Sequence, residues 1–427
     1  MRKKVLVRAP VLTRSGYGEH GRFVIRSLRT REDLFDIYVL PTNWGHTGWI
    51  TTDDEEREWL DRKIGKTSEY GRKGGQFDIS IQVTIPNEWE QLAPVNIGVT
   101  AGIEVIKVSP AWLEKSNMMD RVITISEHSR SGFINSAYEG QNEETGRNLI
   151  LKCETPVGVV HYPVKTFESL STLELNLDYD FNYLAVAQKG PRKNLDNTIR
   201  WFVEENFDQE VGLVLKTFVR NNAILDRLDT EIMLKNILNK YPQRKCKVYL
   251  LHGDMSDEEM HSLYDHPKIK CLITTTHGEG FGLPIFEAAY SGVPVIAPGF
   301  SGQCDFLYAP FQGSKKKTKS DKKRHPYFAE VDYELRPVAK KSVWPGVIEE
   351  GSIWCHPVEG SFKMRLRQVR KNYDKWKKKA DVLQKWIKDN FKEQDMYNKF
   401  VSEINSGSGT ASDEEIDSMF AKLSKVS

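Results

Sequence analysis

Two glutamates eight residues apart, Glu279 and Glu287, border a glycine-rich run that could bind a phosphorylated sugar. Three glycines lie within the five residues from Gly278 to Gly282, and they let the backbone approach a ligand closely. The run follows a predicted strand that ends near Thr274 and opens a predicted helix, whose first N–H groups suit a diphosphate. One carboxylate could accept hydrogen bonds from ribose hydroxyls and the other from sugar hydroxyls. A plain glycine-rich turn with surface glutamates is the alternative interpretation.

A second candidate for ligand contact is a loop that carries two tryptophans and a histidine, Trp44, His46 and Trp49. Aromatic faces on such a glycine-containing loop suit stacking on a sugar or a base. Closure of a hydrophobic loop is the alternative interpretation.

Short apolar runs alternate with helical patterns, which predicts parallel sheets covered by helices on both faces. A chain of 427 residues is too long for one core and suits two domains of about 200 residues each. We expect a first doubly wound domain over 1–175 and a second over 176–390. A helix and flexible tail over 391–427 should pack back on the first domain.

The predicted elements fall into three groups, strands, helices and loops. The strands are Val5–Val7, Phe35–Leu40, Phe77–Ile81, Ile97–Thr100, Arg121–Ile125, Tyr183–Ala187, Gly212–Lys216, Lys247–Leu251, Lys270–Thr274 and Val293–Ala297. The helices are Glu19–Arg29, Ala111–Met118, His128–Tyr138, Asn194–Phe207, Ala223–Tyr241, Asp257–Tyr264, Leu283–Tyr290 and a basic one over Lys363–Lys379. The loops are Glu139–Arg147 and the lysine-rich Gly313–His325.

Composition excludes several classes of protein. The net charge of +2 indicates no partner by itself, and five scattered cysteines without a C-x-x-C pair predict neither a zinc site nor disulfides. The N-terminus is basic, and the apolar run that follows is short, which indicates a first strand rather than a signal peptide. No stretch approaches the 18 apolar residues of a membrane span. We therefore expect a soluble protein of a reducing, cytoplasmic compartment.

The run from His277 to Ile296 resembles the E-x7-E signature of retaining GT-B glycosyltransferases, especially family 4. The resemblance lies in Glu-Gly-Phe-Gly-Leu-Pro, the second glutamate and Gly-Val-Pro-Val-Ile. It implies an α/β GT-B fold, with two Rossmann-like domains facing a central cleft. It also implies metal-independent transfer from a nucleotide sugar, by default a UDP-sugar, with retained configuration and no further cofactor.

The resemblance also assigns roles to residues of the run. Glu287 would hold the nucleotide ribose, and Glu279 would contact the transferred sugar. The donor-binding positions between them would be Gly280, Phe281, Gly282 and Leu283. A departing phosphate oxygen would take the acceptor proton, so that no enzymic base is required.

The family clamps the donor diphosphate with an arginine and a lysine after the first strand of the second domain. Lys193 matches the lysine, whereas the arginine expected near positions 187–189 is missing. Gln188, Lys189 or Arg192 could replace it, and Lys216 after the next strand is a further candidate. For each, a solvated side chain is the alternative.

In the first domain, the family places a glycine amide near the diphosphate, in the loop after the first strand. Gly16 and Gly18 match that place, although a simple tight turn is the alternative. Glu104 and His128 lie where the family has acceptor-side residues, and they are candidate catalytic groups.

Two basic segments suggest a polyanionic acceptor. Segments 313–325 and 363–379 together hold 16 lysines and arginines against two acids, which suits nucleic acid or an anionic membrane. The glycine-rich run and the Trp44–Trp49 loop are similar to glycosyltransferases of tailed phages. We therefore predict a hydroxymethylated pyrimidine in DNA as the acceptor, bound through 315–324 and 363–379 in the host cytoplasm.

Three alternatives remain open. The acceptor could be a lipid or a surface polysaccharide, with the basic helix on anionic lipid. The chain could be a non-catalytic protein that binds a nucleotide sugar or DNA. It could also be a GT-B epimerase, which would change a nucleotide sugar without any acceptor.

Overall fold

Two parallel β-sheets organise the part of the chain that the computed structural model describes, residues 2–141, 148–167, 172–310 and 323–407. By its internal packing the chain divides into two units. Unit 1 comprises Met1–Pro163, Trp344–Glu349 and Glu393–Ser427. Unit 2 comprises Val164–Val343 and Glu350–Lys392.

The regular elements are numbered in chain order. The strands are β1 (Lys3–Ala9), β2 (Phe35–Pro41), β3 (Ile79–Val83), β4 (Val95–Thr100), β5 (Arg121–Thr124), β6 (Ala137–Gln141), β7 (Asn148–Lys152), β8 (Val157–Val159), β9 (Asn182–Gln188), β10 (Gly212–Phe218), β11 (Lys247–Leu251), β12 (Ile269–Ile273), β13 (Val295–Pro298), β14 (Tyr308–Pro310), β15 (Arg324–Pro326), β16 (Ala329–Val331), β17 (Tyr333–Pro337) and β18 (Ile353–Pro357). The helices are α1 (Gly16–Arg29), α2 (Glu55–Arg72), α3 (Pro110–Ser116), α4 (Glu127–Asn135), α5 (Leu195–Glu205), α6 (Ile224–Leu238), α7 (Asp257–Asp265), α8 (Leu283–Tyr290), α9 (Cys304–Leu307), α10 (Glu359–Lys371), α11 (Tyr373–Asn390) and α12 (Glu393–Gly407).

The sheet of unit 1 has the parallel order β2-β1-β3-β4-β5-β8. Its central strands are buried on both faces, and all five residues of β3 are buried although Ser80 and Gln82 are polar. Strands buried on both faces are typical of a parallel sheet that helices cover on both faces. The polar loops that follow the strands therefore collect at the carboxyl edge of the sheet, where ligands bind in such folds.

Helix α12 belongs to unit 1 although it lies at the far end of the described chain. It packs on α1, where the Phe400 ring centre lies 5.7 Å from that of Phe23. The Glu403 carboxylate also pairs with Arg121 at the start of β5. Aromatic packing and this ion pair join the helix to the sheet of unit 1.

The sheet of unit 2 has the parallel order β11-β10-β9-β12-β13-β16. Its core joins aromatic residues from strand and helices, including Tyr183, Phe202 and Phe362, all of them fully buried. Each unit thus has the doubly wound α/β architecture that the alternation predicts. No described helix is both long and apolar enough to cross a bilayer.

Three predictions of local structure differ from what is observed. Helix α2 was not predicted, because among its residues only Trp59, Leu60 and Thr67 are buried and no apolar stripe marks it. The predicted loop Glu139–Arg147 begins instead in the antiparallel hairpin of β6 and β7, and residues 142–147 lie outside the described residues.

The third difference concerns the basic helix predicted over Lys363–Lys379. Two helices, α10 and α11, meet there at Asn372, whose φ of −125° and ψ of 42° interrupt the helical backbone. The lysine-rich loop predicted over 313–325 lies mostly outside the described residues, of which 323–325 are part.

Candidate functional site

The glycine-rich run forms the loop between β12 and α8 at the carboxyl edge of the unit 2 sheet. Helix α8 begins at Leu283 with Pro284 in its first turn, where proline loses no intrahelical hydrogen bond. Gly282 precedes it with φ +94°, a conformation that side chains rarely adopt. The loop therefore delivers the backbone to a helix N-terminus, which attracts anions.

A second loop, after β13, holds the first one in place. The Glu279 N–H donates to Ser301 Oγ at 2.7 Å, and the Gly302 N–H donates to the Glu279 carbonyl at 2.9 Å. A β-carbon on Gly302 would lie 1.9 Å from the Gly280 carbonyl oxygen, so only glycine fits there. Phe281 is buried against Phe286 and Phe306, with ring centres 5.0 Å away from each.

Arg192 and Lys193 converge on the carboxylate of Glu279. Lys193 Nζ lies 2.8 Å from Oε1 and 2.7 Å from Oε2, and Arg192 Nη1 lies 2.7 Å from Oε2. Arg192 Nη1 also donates to the Gly278 carbonyl at 2.8 Å. Two cations on a nearly buried carboxylate form a charged cluster at the glycine-rich loop.

The turn that carries both cations is fixed by Asn194. Its φ is +51°, a left-handed conformation that asparagine tolerates better than most residues. Its side-chain amide donates to the Thr275 carbonyl at 3.0 Å, and the His277 N–H donates to the Arg192 carbonyl at 2.8 Å. The cation turn and the glycine-rich loop are therefore joined by their backbones as well as by charge.

The charge of Glu279 is stabilised by this cluster. Burial alone would raise the pKa of the carboxyl, but Lys193 and Arg192 outweigh it and lower the pKa to about 2. Glu279 is therefore ionised at neutral pH, and its carboxylate can only accept hydrogen bonds.

Glu287 is the fifth residue of α8, and its carboxylate is bound by a residue of α7. The Tyr264 hydroxyl, on α7, donates to Glu287 Oε2 at 3.0 Å. Tyr264 is buried, and burial together with Glu287 raises the pKa of its hydroxyl well above the usual range. The hydroxyl therefore keeps its proton and fixes the carboxylate of Glu287.

Lys216 lies on β10, and its side chain is buried except for a small fraction. Its Nζ donates to the carbonyl of Gly253, in the loop after β11. Burial lowers the pKa of the ammonium, while Asp254 and Glu259 oppose the shift. The structure thus places Lys216 with the loop 252–254 rather than with the cation cluster on Glu279.

His277 is a residue of the glycine-rich loop to which the sequence analysis assigned no role. Its Nδ1 lies 2.6 Å from the Cys355 carbonyl on β18, and its ring stacks on Trp354 with centres 5.3 Å apart. The His277 carbonyl also accepts from the Cys355 N–H at 3.1 Å. A histidine beside a glycine-rich loop was a possible signal, but its partners are almost 80 residues away in sequence.

In unit 1, the two candidate glycines differ in their surroundings. Gly18 packs closely against the backbone of Thr13, since a β-carbon at Gly18 would lie 2.1 Å from the Thr13 carbonyl oxygen. Its N–H donates to Ser15 Oγ, the cap of α1, at 2.9 Å. Gly16 opens α1 with nothing within 4 Å of its β-carbon position. Gly16 is therefore the better placed of the two for a phosphate, and Gly18 fits a packing role.

The residue between these glycines, Tyr17, joins two candidate loops of unit 1. Its hydroxyl lies 2.8 Å from Thr100 Oγ1 at the end of β4, and its ring centre lies 4.1 Å from that of Trp44. Trp49 and His46 in the same loop are exposed. The Trp44–Trp49 loop is thus anchored by one tryptophan and presents the other to solvent.

Glu104 and His128 are half-buried at the same edge of the unit 1 sheet. Glu104 follows β4 and contributes to raising the pKa of Tyr17, a shift that comes mainly from burial. His128 is the second residue of α4, whose cap Ser126 accepts from the Ser129 N–H at 3.1 Å. No interaction described for either residue assigns it a catalytic role, and both remain predictions.

Most basic residues of α10 have partners within unit 2. Lys363 pairs with Glu204 at 2.6 Å, and Arg367 pairs with Glu205 at 2.8 Å. In α11, Lys377 pairs with Asp381. The charge of segment 363–379 is therefore less available to a polyanion than its composition indicates.

No protein-family model matches this chain. The serotype-specific mannosyltransferase WbdA of Escherichia coli is 30% identical over 118 residues, which are 27% of this chain and 13% of WbdA. Sucrose-phosphate synthase of Spinacia oleracea is 28% identical over 137 residues, 29% of this chain and 12% of that protein. The chain thus spans about an eighth of the length of these curated relatives.

Solved structures match almost all of the chain. HepE of Anabaena, in complex with UDP and glucose, has a TM-score of 0.59 and 13% identity, over 95% of this chain and 100% of HepE. Sucrose-phosphate synthase of Thermosynechococcus elongatus has a TM-score of 0.61 and 10% identity, over 96% of this chain and 100% of that one. At such identities the likeness shows the fold alone. The chain therefore has the GT-B fold, as its glycine-rich run predicted.

Proposed function

We propose that this protein is a glycosyltransferase that transfers a sugar from a UDP-sugar with retained configuration, without a metal ion or a further cofactor. The observation that carries the proposal is the cluster of Glu279, Arg192 and Lys193 beside the N-terminus of α8. This cluster brings two cations and a helix N-terminus to the loop where the sequence predicts a nucleotide sugar.

The two cations have a defined task in such a reaction. When the bond between sugar and diphosphate breaks, negative charge grows on the leaving phosphate oxygens, and nearby cations stabilise it. Lys193 and Arg192 lie on one turn and could serve this role together. Arg192 is therefore our candidate to replace the family's arginine, which this chain lacks near positions 187–189, in preference to Gln188 and Lys189.

The two glutamates would hold the two ends of the donor. Glu287, fixed by Tyr264, would accept hydrogen bonds from the ribose. Glu279, ionised at neutral pH, would accept them from the transferred sugar. Gly280, Gly282 and Leu283 would give the backbone contacts.

The comparisons support a UDP-sugar as the donor to test first. HepE was solved with UDP and glucose, and another structure of the same fold holds UDP-2-fluoro glucose. The latter has a TM-score of 0.54 and 10% identity to this chain.

The donor is tested by thermal-shift binding of UDP, GDP, ADP and TDP and their sugars, with and without EDTA. We expect UDP or a UDP-sugar to raise the melting temperature of the natural protein but not that of Glu287→Ala. Glu258→Ala, an exposed acid of α7, is the control and should respond as the natural protein does. A protein that responds to no nucleotide would overturn the proposal, and a response lost in EDTA would overturn metal independence.

Retention is tested on the product. Once a donor and any acceptor give transfer, proton NMR of the new glycosidic bond reports its anomeric configuration. The same configuration as in the donor is expected, and inversion would exclude the mechanism proposed here.

For the acceptor, we propose a hydroxymethylated pyrimidine in DNA. The support is the composition of segment 313–325, with seven lysines and arginines against one acid. A base inside a duplex would have to be flipped out before it could react. Because most basic residues of α10 have partners within unit 2, segment 313–325 is the main support.

Transfer of radiolabelled sugar to hydroxymethylated and unmodified DNA tests this acceptor. We expect label on modified DNA only, and its loss when Lys315, Lys316, Lys317 and Lys319 are changed to glutamate. Charge reversal of the exposed residues Lys371, Lys375 and Lys378 is the matched control and should reduce transfer less. Equal labelling by both variants would count against the role of 313–325.

A surface polysaccharide is the second candidate acceptor. It is favoured by the likeness of a 118-residue stretch to a serotype-specific mannosyltransferase. Label that moves to a mannose-containing oligosaccharide and not to DNA would select this candidate and leave the donor site intact.

A further inference from the structure

The connection between β17 and β18 leaves unit 2 and returns to it. The first part of unit 2 ends at Val343 and the second begins at Glu350, while the six residues between them, Trp344–Glu349, belong to unit 1. We name these six residues the strap. Because the chain is continuous, the strap is joined covalently to both strands of a hairpin in unit 2, whereas its contacts lie in unit 1.

The connection is longer than a hairpin turn requires. The ladder of β17 and β18 is extended by a hydrogen bond from the Val338 N–H to the Ser352 carbonyl at 2.7 Å, and the residues 339–351 lie between these two. Two to five residues are enough to reverse the chain between antiparallel strands. Thirteen residues are used here, and longer connections in compact domains commonly carry function.

The strap is a tight turn with a fixed backbone. The Val347 N–H donates to the Trp344 carbonyl at 2.9 Å, Pro345 takes the second position, and Gly346 takes the third with φ +78°. This is the pattern of a type II β-turn, whose third position favours glycine. Trp344 and Ile348 also exchange backbone hydrogen bonds of 2.9 and 2.7 Å. The strap therefore has one defined backbone conformation.

The carbonyl of Gly346 anchors the strap within unit 1. It accepts from Asn87 Nδ2 at 2.9 Å and from Ser109 Oγ at 2.8 Å. Asn87 is itself oriented, since its Oδ1 accepts from Nε1 of the fully buried Trp112 at 2.6 Å. Val347, the next residue of the strap, is buried as well. Two donors on one carbonyl form a specific docking site for this turn.

Strand β18 carries the chain from the strap to the glycine-rich loop. Cys355, six residues after Glu349, donates its N–H to the His277 carbonyl at 3.1 Å, and its own carbonyl lies 2.6 Å from His277 Nδ1. The His277 N–H donates to the Arg192 carbonyl at 2.8 Å. His277 therefore links β18 both to the turn that carries the two cations and to Glu279, two residues further on.

We propose that docking of the strap on unit 1 positions the donor-binding loop of unit 2, an inference that rests on the proposed function. When the Gly346 carbonyl is held, the short chain that follows the strap fixes the place of β18. Strand β18 in turn holds His277, which opens the loop that carries Glu279. Asn87 and Ser109 are thus positioning residues, which act on the donor through the strap.

This coupling works in both directions. A nucleotide that binds better to the ordered loop must also favour the docked strap, because a coupling free energy between two sites is reciprocal. A strap that only stabilised unit 1 would behave differently. Its loss would lower the melting temperature and leave the affinity for a nucleotide unchanged.

Two glycines of the connection provide a matched pair of variants. Gly346 and Gly351 both have left-handed φ angles, +78° and +81°, so alanine strains the two backbones similarly. Only at Gly346 would the β-carbon press on the anchor, 3.3 Å from Asn87 Nδ2, while at Gly351 it would meet no described atom within 4 Å. By isothermal titration calorimetry, we expect UDP to bind about tenfold more weakly to Gly346→Ala and within about twofold of the natural affinity to Gly351→Ala.

A variant of unit 1 tests the same anchor from its other side. Asn87→Asp keeps an oxygen for Trp112 Nε1 but replaces the donor toward Gly346 by a second oxygen, so that two acceptors face each other. UDP binding should again weaken about tenfold. Combining Asn87→Asp with Gly346→Ala should add little to either change alone, because both break one contact, and fully additive losses would contradict a shared anchor.

Hydrogen exchange without nucleotide, read by mass spectrometry, separates this proposal from the proposed function. In Gly346→Ala, peptides that contain His277 and Cys355 should exchange about tenfold faster, whereas β10 of the same unit should exchange as in the natural protein. Exchange that rises equally throughout unit 2, or equal UDP affinities of Gly346→Ala and Gly351→Ala, would overturn the proposal. A natural protein that binds no UDP would instead overturn the proposed function, and the exchange rates would still decide whether strap and loop are coupled.

Discussion

The carboxylate of Glu279 binds two cations that a diphosphate would also attract. Lys193 contacts both of its oxygens and Arg192 contacts one. Glu279 thus holds the cations in place, so that little reorganisation is needed when a second anion arrives. Preorganised charge of this kind is the main source of transition-state stabilisation in many enzymes.

Replacing Lys193 by alanine tests this role in turnover. We expect the rate of sugar transfer to fall by about 10²–10³-fold, because one of the two cations that we propose to stabilise the leaving group is lost. Steady-state kinetics with the donor found by thermal shift measure the effect. Lys189→Ala is the matched control, since Lys189 pairs with Asp196 at 3.5 Å and lies outside the cluster. Equal rates for both variants would remove Lys193 from the mechanism.

The low pKa of Glu279 predicts how stability depends on pH. The folded protein lowers this pKa from 4.5 to about 2, so folding favours the ionised form. The resulting stabilisation, about 3 kcal/mol by linkage, is complete above about pH 5 and is lost as the pH falls toward 2. Urea unfolding between pH 3 and pH 6 measures it.

The matched variant for the pH prediction is Glu279→Gln, which keeps the shape and removes the charge. Its stability should be lower at pH 6, and the difference from the natural protein should narrow toward pH 3. Parallel curves over that range would show that the two cations do not depress the pKa of Glu279.

At the scale of elements, the loop before α8 depends on the loop after β13. A β-carbon on Gly302 would lie 1.9 Å from the Gly280 carbonyl oxygen, so Gly302→Ala must displace one loop. We expect at least about tenfold weaker UDP binding, because the loop no longer meets the helix N-terminus correctly. Isothermal titration calorimetry measures this. Gly360→Ala, where nothing lies within 4 Å, is the control, and unchanged binding in Gly302→Ala would contradict the coupling.

The packing of α12 on α1 gives a stability prediction. Phe400 is fully buried against Phe23, so Phe400→Ala should cost about 3–5 kcal/mol of unfolding free energy in unit 1. Chemical denaturation followed by tryptophan fluorescence measures the loss. The neighbouring exposed residue Lys399, changed to alanine, should cost little. A similar loss in both variants would show that α12 does not stabilise the unit.

Elements with strong local signals could be predicted from the sequence. Helix α8 begins and ends at the predicted residues, since a glycine and a proline mark its start and a glycine follows its end. Helix α2 could not be predicted, because it buries so few residues that no periodic pattern arises. The break at Asn372 was missed since the charges run on through it in the sequence.

The candidate site could be predicted only in part, because some of its contacts join residues that are far apart in the sequence. The motif indicated Glu279 and Glu287, and the neighbouring turn indicated Arg192 and Lys193. That these cations meet Glu279 depends on a contact across more than 80 residues, which local patterns do not contain. The same holds for Lys363 and Glu204, which are 159 residues apart. Their ion pair makes the charge of Lys363 less available to a polyanion than the composition of the basic segment indicates.

At the scale of the whole molecule, the two units should respond differently to the donor nucleotide. Glu279, Glu287, Arg192 and Lys193 all belong to unit 2. In differential scanning calorimetry, UDP at a hundred times its dissociation constant should stabilise the transition of unit 2 by about 2.7 kcal/mol. Phe400→Ala identifies the other transition by lowering it. A ligand shift confined to the transition that Phe400→Ala lowers would place the nucleotide in unit 1.

The discontinuity of unit 1 has a consequence for its biosynthesis. The ribosome makes Met1–Pro163 first, but α12 follows only after about 230 further residues. At 5–20 residues per second, the face of α1 around Phe23 waits roughly 10–50 s for its cover. Unit 2 is complete at Lys392, before translation reaches α12. Unit 1 begins before unit 2 but gains α12 only after unit 2 has been made, and the nascent chain must keep an apolar surface from aggregating until α12 emerges.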